Sequence, residues 1–482
     1  MNKTYAQITR RQFIGASAAA AAFAVVPRHV LGGPGFVAPS EKVKIAIIGA
    51  GGRGRTMVRE LFNEQDAQII AVCDAAEKTD LSAFYYGGFA GRKPVKAEVD
   101  EHYAKKTPNF RCAEYEDFRA MLEKEKAIDA ILCATPDHAH AVISITAMKM
   151  GKHVYCEKPL AHNVWEVRQM ARVAKESGVA TQMGNQGHSG EGIRQTCEWI
   201  WDGAIGAVRE VHAWSDDVVG HWNAVAGLGR WVKTPGRPRE TPPVPAGFNW
   251  DLWLGPRDYR PYHPSYAPFT WRGWWAFGTG TIGDMGCHNM DPAVLALRLE
   301  SPISVEATAA GADSEVTPFG EIYNYRFGPR GDMPAVKLTW YDGGLRPPTP
   351  EGLDPNDPKQ RLGEGTNGIL FIGDKGFITC AGWAGMPRLL PWSLHREYKR
   401  PEKTLPRSKG HLTDWLAACK GGKPASGNFE YGARLTELVL LGNVALRTKK
   451  MLMWDGANMK AASAPEADQF IKEQYRKGWE IG

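Results

Sequence analysis

The feature that most constrains the fold of this chain is a short apolar run that ends in a cluster of glycines. Residues 43–48 read VKIAII, a run of strand length, and Gly49, Gly51 and Gly54 follow it in the pattern G-x-G-x-x-G. This pattern predicts a buried parallel strand, a tight turn and a helix that together bind a dinucleotide. Its glycines make the turn, admit a pyrophosphate and let the helix pack on the strand. The candidate cofactor contacts of this loop are Gly49, Gly51, Gly52, Arg53 and Gly54.

A carboxylate stands at the distance from this loop that a dinucleotide-binding unit requires. Residues 68–73 form a second strand-like run, and Asp74 follows it, twenty residues after Gly54. A carboxylate there accepts hydrogen bonds from the adenosine ribose hydroxyls and repels a 2′-phosphate. On its own, Asp74 would be an ordinary strand-end residue. Together with the strand and the glycines it predicts NAD as the cofactor, with NADP disfavoured.

The first 40 residues are predicted to be a signal peptide and linker outside the fold. Residues 9–14 read TRRQFI, and an alanine-rich apolar run over residues 16–26 follows, which is the layout of a twin-arginine signal. The run is too short for a permanent membrane span. The sequence therefore predicts export by the twin-arginine route to the periplasm, with residues 22–24 as one candidate cleavage site.

Net charge excludes one broad class of partner. The formal charge of +6 falls to +2 without residues 1–40, because these carry four basic side chains and no acidic one. Nucleic-acid binding therefore has no electrostatic support. The remaining chain, about 440 residues, is long enough for two domains with substantial cores.

The cysteines indicate neither a metal site nor a disulfide framework. They contain no C-x-x-C pair and no spacing typical of metal ligands, so no metal is predicted. A chain that folds before export would keep free, buried thiols despite an oxidising destination. The eight positions are 73, 112, 133, 156, 197, 287, 380 and 419.

Strand-like and helical patterns alternate after Asp74. Residues 75–109 are predicted as a helix and a long loop, and residues 130–134 and 153–156 as strands on either side of a helix at 139–150. This alternation predicts a doubly wound parallel sheet with helices on both faces. The loops after these strands lie at the carboxyl edge, where the nicotinamide half of the cofactor extends. Their candidate cofactor contacts are Thr135, Pro136, His140, Glu157 and Lys158.

Four motifs, taken in order, resemble the Gfo/Idh/MocA oxidoreductases. They are the glycine loop at 49–54, Thr135-Pro136 with His140, GKHVYCEKP at 151–159 and GDMGCHNMD at 283–291. The resemblance implies a Rossmann domain over residues 41–160. It also implies a C-terminal α/β domain over residues 161–482, built on a large, mostly antiparallel sheet. The implied activity is NAD(P)-dependent oxidation or reduction of a sugar, cyclitol or related polyol.

The loop GNQGHS at residues 184–189 occupies a place where the family usually contacts both nicotinamide and substrate. Asn185 and Gln186 are candidate cofactor contacts there, and His188 is a candidate substrate contact. Many members of the family carry arginine or tyrosine where His188 stands.

Tryptophans are concentrated in residues 214–275, a glycine- and proline-rich stretch predicted to be an elaborated loop region. Most of these rings are expected to give that region a core of its own. Trp271, Arg272 and Trp275 are expected to contact a sugar, because aromatic rings stack on the apolar faces of sugars. Eight of the chain's 17 tryptophans lie here, at 214, 222, 231, 250, 253, 271, 274 and 275.

Asp284 and His288 are the strongest catalytic candidates, and both are expected to contact substrate. They are four residues apart, so on a helix they share one face and can hydrogen-bond. A carboxylate beside an imidazole stabilises its protonated form and orients its ring, as a general base requires. Taken alone, the pair is better explained as an N-cap aspartate followed by a buried histidine. The match to the family motif favours catalysis, with Lys158 stabilising negative charge on the substrate oxygen.

The rest of the chain predicts the second sheet and a buried helix. Strand-like runs occur at residues 305–309, 322–327, 336–341, 369–372 and 377–379, and an apolar helix is predicted at 433–449. Sheets of this kind commonly pair face to face, which would give a homo-oligomer. The charged segment from Pro465 is expected either to wrap a neighbouring subunit or to lie on the surface.

These features predict an oxidoreductase that transfers a hydride between a tightly bound NAD and a sugar, glycoside or cyclitol. Tight binding follows from the predicted export, because a cofactor lost outside the cytoplasm would not be replaced. A second hypothesis is a glycoside-cleaving enzyme that oxidises its sugar transiently with NAD. A third is a non-catalytic sugar-binding protein on the same fold, which Lys158, Asp284 and His288 disfavour.

Overall fold

The computed structural model describes residues 37–216, 236–311 and 313–481. The predicted twin-arginine segment and the apolar run after it lie outside the described residues, as do Trp222 and Trp231. The described residues 37–42 belong to a unit distinct from Val43–Gly482, and a 3-10 helix there spans Pro39–Glu41. Among the described helices, none combines the length and the apolar character needed to cross a membrane.

The glycine motif follows the central strand of a six-stranded parallel sheet, which confirms the predicted Rossmann arrangement. The strands up to residue 183 are β1 (Val43–Ile48), β2 (Ala67–Cys73), β3 (Thr79–Asp80), β4 (Phe89–Ala90), β5 (Ala113–Tyr115), β6 (Ala130–Cys133), β7 (His153–Cys156) and β8 (Thr181–Met183). The first sheet has the spatial order β5, β2, β1, β6, β7, β8, while β3 and β4 pair separately.

The apolar run of β1 is buried on both faces of this first sheet. Ile45 and Ile47 enter one core, whereas Ala46 and Ile48 enter the other, as the two-residue period of a strand requires. A parallel strand covered on both faces needs such a continuous apolar run. This explains why the sequence identified the strand correctly.

Helices cover both faces of the first sheet, as predicted. On one face lie α1 and α2, and on the other lie α3, α4 and α5. The loop and helix predicted after Asp74 occur in the opposite order, with the β3–β4 ribbon first. The described helices are α1 (Gly52–Leu61), α2 (Arg92–Ala104), α3 (Phe118–Lys124), α4 (Asp137–Lys149), α5 (Val164–Ser177), α6 (Glu191–Trp201), α7 (Trp250–Leu254), α8 (Cys287–Asn289), α9 (Asp291–Ala296), α10 (Trp392–Glu397), α11 (His411–Cys419), α12 (Phe429–Thr448) and α13 (Asp468–Ile471).

One of the helices that cover the first sheet comes from late in the chain. Leu412, Trp415 and Leu416 of α11 are buried in the same core as α1 and α2. Strand β8 also joins the first sheet from beyond residue 160. The domain boundary after residue 160 stays a prediction, but these two elements tie the first sheet to the later sequence.

The second sheet has nine strands and is mostly antiparallel, as predicted, with one parallel pair, β9 with β12. The buried helix α12 packs against it and against α5, which confirms the apolar helix predicted near residue 440. The strands are β9 (Val208–Ser215), β10 (Ser304–Ala310), β11 (Gly320–Phe327), β12 (Val336–Asp342), β13 (Asn367–Gly373), β14 (Gly376–Cys380), β15 (Arg388–Leu390), β16 (Leu452–Asp455) and β17 (Lys460–Ala461). Their spatial order is β15, β14, β13, β9, β12, β11, β10, β16, β17.

The tryptophan-rich region builds a core of its own, as predicted for most of its rings. Trp250, Trp271 and Trp274 are buried together with Tyr266 and Phe277 in a cluster separate from the two main cores. The rings of Trp250 and Trp253 stack at a centroid distance of 4.7 Å. In the described part of this segment, regular structure beyond β9 is confined to α7 and a 3-10 helix at Thr270–Gly273.

The cysteines are unpaired, and all but the half-buried Cys419 are buried, which confirms the expectation of free thiols. The C-terminal segment beyond Pro465 packs partly into its own chain, and its contact with a neighbouring subunit stays a prediction. Ile471 and Trp479 are both buried there.

The glycine at position 54 provides a test of the contact between β1 and α1. A Cβ atom at Gly54 would lie 1.9 Å from the carbonyl oxygen of Gly49. Gly54→Ala would gain up to about 1 kcal/mol in helix propensity, but the forced displacement of α1 typically costs about 1–3 kcal/mol. We therefore expect a lower unfolding temperature in calorimetry. Gly51→Ala, whose Cβ would meet no atom within 4 Å, is the matched control. Equal melting of the two variants would contradict this account.

Candidate active site

A cleft of about 630 Å³ runs along the carboxyl edge of the first sheet and is lined on its other side by residues of the C-terminal half. Its volume lies within the roughly 300–1,000 Å³ typical of small-molecule sites. Most of the predicted site residues line this one cleft. They are Gly49, Gly51, Gly52, Arg53, Asp74, Thr135, Pro136, His140, Glu157, Lys158, Gln186, Trp271, Arg272, Asp284 and His288.

Four predicted residues stand away from the cleft wall. Gly54 packs against the carbonyl of Gly49, and the other three are held elsewhere by buried contacts. Asn185 donates to Asp291 over 2.9 Å, and Nδ1 of His188 lies 3.0 Å from the same carboxylate. The indole of Trp275 donates to the carbonyl of Asp313 over 3.1 Å and belongs to the C-terminal core. The structure therefore does not bring Asn185, His188 or Trp275 to the positions expected for cofactor or sugar contact.

The glycine loop leaves room for a phosphate group. Gly49 has φ +86°, and a Cβ there would lie 2.6 Å from the backbone of Ala134, so the turn requires glycine. Beside Gly51, by contrast, a Cβ would meet open space. This space lies at the amino end of α1, whose first N–H groups and helix dipole favour an anion. The residues present thus fit a pyrophosphate.

The Asp74 carboxylate forms structural hydrogen bonds that the sequence did not indicate. It accepts hydrogen bonds from the N–H groups of Ala50 (2.6 Å) and Ala76 (2.7 Å), so it holds the glycine loop in place. Burial raises the pKa of Asp74, and these two hydrogen bonds oppose that rise. Each oxygen retains a lone pair, so the carboxylate can still accept from ribose hydroxyls.

Lys158 and Asp284 form the central contact of the cleft. The ammonium of Lys158 lies 2.5 Å from Oδ1 of Asp284 and 2.7 Å from its backbone carbonyl. Arg272 approaches the same carboxylate at 3.7 Å. Asp284 lies in a π-helical turn at Ile282–Gly286 rather than in an α-helix. The four-residue spacing of an α-helix therefore does not apply. The hydrogen bond expected between Asp284 and His288 is replaced by the ion pair with Lys158.

The charges in this cluster are fixed by burial and by pairing. Burial disfavours the charge of each partner, but the mutual attraction outweighs it. The pKa of Lys158 is thus raised, and that of Asp284 falls to about 2. His288 shows the opposite balance, since burial and the nearby Lys158 ammonium lower its pKa well below 6.5. The carboxylate was expected to favour a protonated His288, and the structure instead makes the imidazole neutral.

His288 is poised to exchange a proton with a bound molecule. It lines the cleft, and its Nδ1 is buried without a hydrogen-bond partner among the described residues. Its ring lies 5.4 Å from that of Trp383, whose side chain is 44% exposed and whose backbone has φ +57°. Such an unusual backbone conformation in a tryptophan is often found beside functional groups. Sequence reasoning gave Trp383 no role.

Arg53 and Glu157 connect the glycine loop to the end of β7. Nε of Arg53 donates to Oε1 of Glu157 over 2.8 Å. Gln186 donates to the hydroxyl of Tyr155 over 3.0 Å and lies 3.4 Å from the same Glu157 oxygen. This network brings three predicted cofactor contacts together and fixes the position of each side chain.

His140 braces two loops of the cleft. Its Nδ1 lies 2.8 Å from the carbonyl of Pro159, and its Nε2 lies 2.9 Å from the carbonyl of Thr135. Cys133 and Cys156 stand beside it, with ligand atoms of all three within 4.8 Å of one another. Both ring nitrogens already contact backbone carbonyls, so His140 offers no free ligand atom to a metal.

Two tyrosines from the β3–β4 ribbon also line the cleft, although the sequence predicted only a loop there. Tyr85 and Tyr86 are followed by two glycines with positive φ. The ring of Tyr86 lies against the glycine loop, where a Cβ added to Gly52 would be 2.1 Å from it. The sequence signal was the aromatic pair itself, at the tip of a glycine-containing turn.

Both halves of the chain match models of a known protein family. Residues 43–185 match the NAD-binding Rossmann fold of an oxidoreductase family, and residues 224–328 match the C-terminal alpha/beta domain of the same family. Together the two matches cover more than half of the chain.

Curated relatives match the chain over limited lengths. A glycosyl hydrolase family 109 protein of Stenotrophomonas maltophilia is 33% identical over 151 residues, which are 31% of this chain and 29% of that protein. A 2,7-anhydro-N-acetylneuraminate hydratase of Mediterraneibacter gnavus is 27% identical over 171 residues, 36% of this chain and 39% of that protein. The chain thus spans about three tenths and two fifths of the lengths of these two relatives.

A solved structure confirms the fold over a longer range. The WlbA dehydrogenase from Bordetella pertussis, in complex with NADH and UDP-GlcNAcA, superposes with a TM-score of 0.53. The match covers 85% of this chain and 98% of that protein at 17% identity, so it shows the fold alone.

The electrostatic account of His288 can be tested directly. Lys158→Met removes the ammonium that opposes protonation and leaves the Asp284 carboxylate facing the imidazole. We therefore expect the pKa of His288 to rise towards 6.5, measured by histidine-selective NMR titration. Lys152→Met is the control, because the Lys152 ammonium donates to the carbonyl of Ile128 outside the cleft wall. A wild-type His288 that already titrates near 6.5 would refute this assignment.

Proposed function

Because the chain belongs to the Gfo/Idh/MocA oxidoreductase family, we propose that it is an NAD-dependent oxidoreductase acting on a carbinol group of a sugar, glycoside or cyclitol. One observation carries the proposal. A neutral His288 stands beside the Lys158–Asp284 ion pair on the wall of the cleft that also contains the glycine loop. A nicotinamide dinucleotide bound in this cleft supplies the hydride acceptor or donor.

Each residue of the cluster has a distinct role in the oxidation direction. His288 accepts the proton of the substrate hydroxyl, which requires the neutral imidazole that burial and Lys158 maintain. The Lys158 ammonium stabilises negative charge that develops on the substrate oxygen. Asp284 positions that ammonium through their ion pair instead of acting on the histidine.

The substrate would lie beside His288 and against the exposed ring of Trp383. Aromatic rings pack against the apolar faces of sugars, and Trp383 offers such a surface beside the proton acceptor. Trp271 and Arg272, which also line the cleft, would complete the wall on the side of Asp284. Trp383 thus takes the role that the sequence analysis gave to Trp275.

NAD is preferred over NADP in this proposal. The Asp74 carboxylate lies at the end of β2, where it can accept from ribose hydroxyls and repel a 2′-phosphate. Its hydrogen bond to Ala50 keeps it next to the glycine loop, so the preference is built into the loop itself.

A second candidate function is supported by one relative's name. The 33% identical relative is a glycosyl hydrolase family 109 protein, so glycoside cleavage that begins with transient oxidation of the sugar is a rival to net dehydrogenation. The two are separated by incubating the enzyme with aryl glycosides. Release of the aglycone without net reduced cofactor indicates cleavage, whereas an oxidised sugar with reduced cofactor indicates dehydrogenation.

We also propose that the protein is exported and retains its dinucleotide through the catalytic cycle. The support is the twin-arginine layout at residues 9–14, since this route transports folded proteins and free nicotinamide cofactors are scarce outside the cytoplasm. The cofactor would be regenerated in place by a second, reducible sugar-like substrate. This reaction order would give ping-pong kinetics.

The role of His288 predicts a specific kinetic defect. His288→Ala should lower kcat by about 10² to 10⁴ while dinucleotide affinity stays nearly unchanged, because the general base is lost and the glycine loop is not. Turnover with candidate sugars and titration with NADH measure the two effects separately. His395→Ala, away from the cleft wall, should leave both unchanged. Weaker NADH binding with unchanged kcat would refute the assignment.

The role of Asp74 predicts altered cofactor preference. Asp74→Ser removes the ribose contact and the repulsion of a 2′-phosphate, so affinity for NAD should fall and the NADP/NAD affinity ratio should rise. Calorimetric titration with both dinucleotides gives the ratio. Asp332→Ser, which removes an exposed carboxylate away from the cleft wall, is the control for loss of a carboxylate. An unchanged NADP/NAD affinity ratio in Asp74→Ser would show that Asp74 supports the glycine loop but does not select the cofactor.

The export proposal is tested by the arginine pair. Arg10→Lys combined with Arg11→Lys should leave the protein in the cytoplasm, whereas Arg28→Lys, outside the motif, should not. Cell fractionation shows the location. Exported wild-type protein should also keep near-stoichiometric dinucleotide after extensive dialysis. Normal export of the double variant, or rapid loss of the cofactor, would contradict the proposal.

A further inference from the structure

The C-terminal segment after α13 is fixed to the chain by the half-buried carboxylate of Glu473. Glu473 lies between three basic side chains: it forms an ion pair with Arg257, lies 3.0 Å from Nδ1 of His162 and lies 3.3 Å from Nη1 of Arg447. Burial opposes its charge, but the attraction of Arg257 outweighs that effect and lowers the pKa of Glu473. The carboxylate is therefore ionised at neutral pH and holds the segment in place.

Contacts of two further residues, Tyr475 and Arg476, extend this anchor towards the cleft. The hydroxyl of Tyr475 donates to Glu166 of α5 over 2.5 Å. The N–H of Arg476 donates to the carbonyl of Pro256 over 2.9 Å, and its guanidinium pairs with Asp251 of α7 at 2.5 Å. Residues 473–476 thus contact both α5, which covers the first sheet, and the tryptophan-rich region.

These contacts position Trp479 in the wall of the cleft. Its side chain is 8% exposed and packs beside Gly255, where an added Cβ would be 3.6 Å from the ring. The Arg119 guanidinium lies 4.3 Å from the ring centroid, and the ring of Phe118 lies 6.3 Å away. The Arg476 guanidinium also lies over the ring, 5.7 Å from its centroid, so only the part of Trp479 that reaches the cleft wall can contact a ligand.

The neighbouring strands show at which end of the cleft Trp479 lies. Phe118 follows β5, the edge strand beside β2, and Asp74 follows β2. In a Rossmann fold this side of the central strand binds the adenosine half, whereas the opposite side binds the nicotinamide half. Lys158 follows β7, on the other side of β1. Trp479 therefore stands at the adenosine end, away from the catalytic cluster.

We propose that Trp479 forms a wall of the adenine subsite, so that the C-terminal segment clamps the adenosine half of the dinucleotide. The inference rests on the proposed function, since it requires a dinucleotide in the cleft. An aromatic wall favours a nucleobase by stacking. The anchors at Glu473, Tyr475 and Arg476 hold this wall rigid, so little order has to be gained when the cofactor binds. This arrangement provides a physical basis for cofactor retention.

The test compares cofactor fragments in calorimetric titrations. Trp479→Ala should weaken binding of NAD and of AMP by the same factor, about 5- to 100-fold, and leave binding of nicotinamide mononucleotide unchanged. Trp479→Phe should retain most of the affinity. Trp201→Ala removes a tryptophan at the end of α6, away from the cleft wall, and should have no effect. Glu473→Gln should reproduce the defect of Trp479→Ala by loosening the anchor.

A labelling experiment covers the case in which Trp479→Ala fails to fold. A photoreactive azidoadenine analogue of NAD, bound to the wild-type protein, should label the peptide that contains Trp479. Unchanged affinities in the variants, or labelling that excludes this peptide, would overturn the adenine clamp. Equal loss of AMP and nicotinamide mononucleotide binding would also overturn it, because the effect would then be general. A wild-type protein that binds no dinucleotide would instead refute the proposed function itself.

Discussion

The ion pair between Lys158 and Asp284 is the contact on which the rest of the site depends. Lys158 follows a strand of the first sheet, and Asp284 lies in the π-helical turn of the C-terminal half. Their contact therefore connects the two sides of the cleft. Removing two charges from water costs several kcal/mol per ion, and this cost is offset only while both partners remain charged and bonded. The pair therefore fixes the relative position of strand end and turn. Burial and the Lys158 ammonium together keep His288 neutral.

Sequence patterns identified the elements whose structure is local. The apolar run of β1, the glycine turn and the strands β10 to β14 follow from periodicity, because burial on one or both faces dictates their side chains. The contribution of α11 was not predictable in this way. Its residues Leu412 and Trp415 look like any amphipathic helix, and nothing local shows that their partner is a sheet more than 200 residues earlier. The same holds for the packing of the C-terminal segment.

The site shows a similar division. Glycine, aspartate and lysine positions that follow strand ends were found from the sequence, since the carboxyl edge of a parallel sheet gathers them. The side-chain partners were not found, because they depend on through-space geometry. The π-helical turn separates Asp284 from His288, and the buried carboxylate of Asp291 draws His188 and Asn185 inwards. Trp383 was missed because its role comes from an unusual backbone conformation beside His288, which a sequence pattern does not encode.

The contributions of β8 and α11 to the first sheet also affect whether the dinucleotide-binding unit can exist apart from the rest of the chain. Nucleotide-binding units of this type are often treated as cassettes that can be exchanged between proteins. Here a fragment ending at residue 160 would lack β8, which would leave the main chain of β7 as an open edge. It would also lack α11, exposing apolar side chains of the first sheet and its helices to water. Such a fragment would tend to self-associate, because its exposed strand edge and apolar surface would pair with those of other copies.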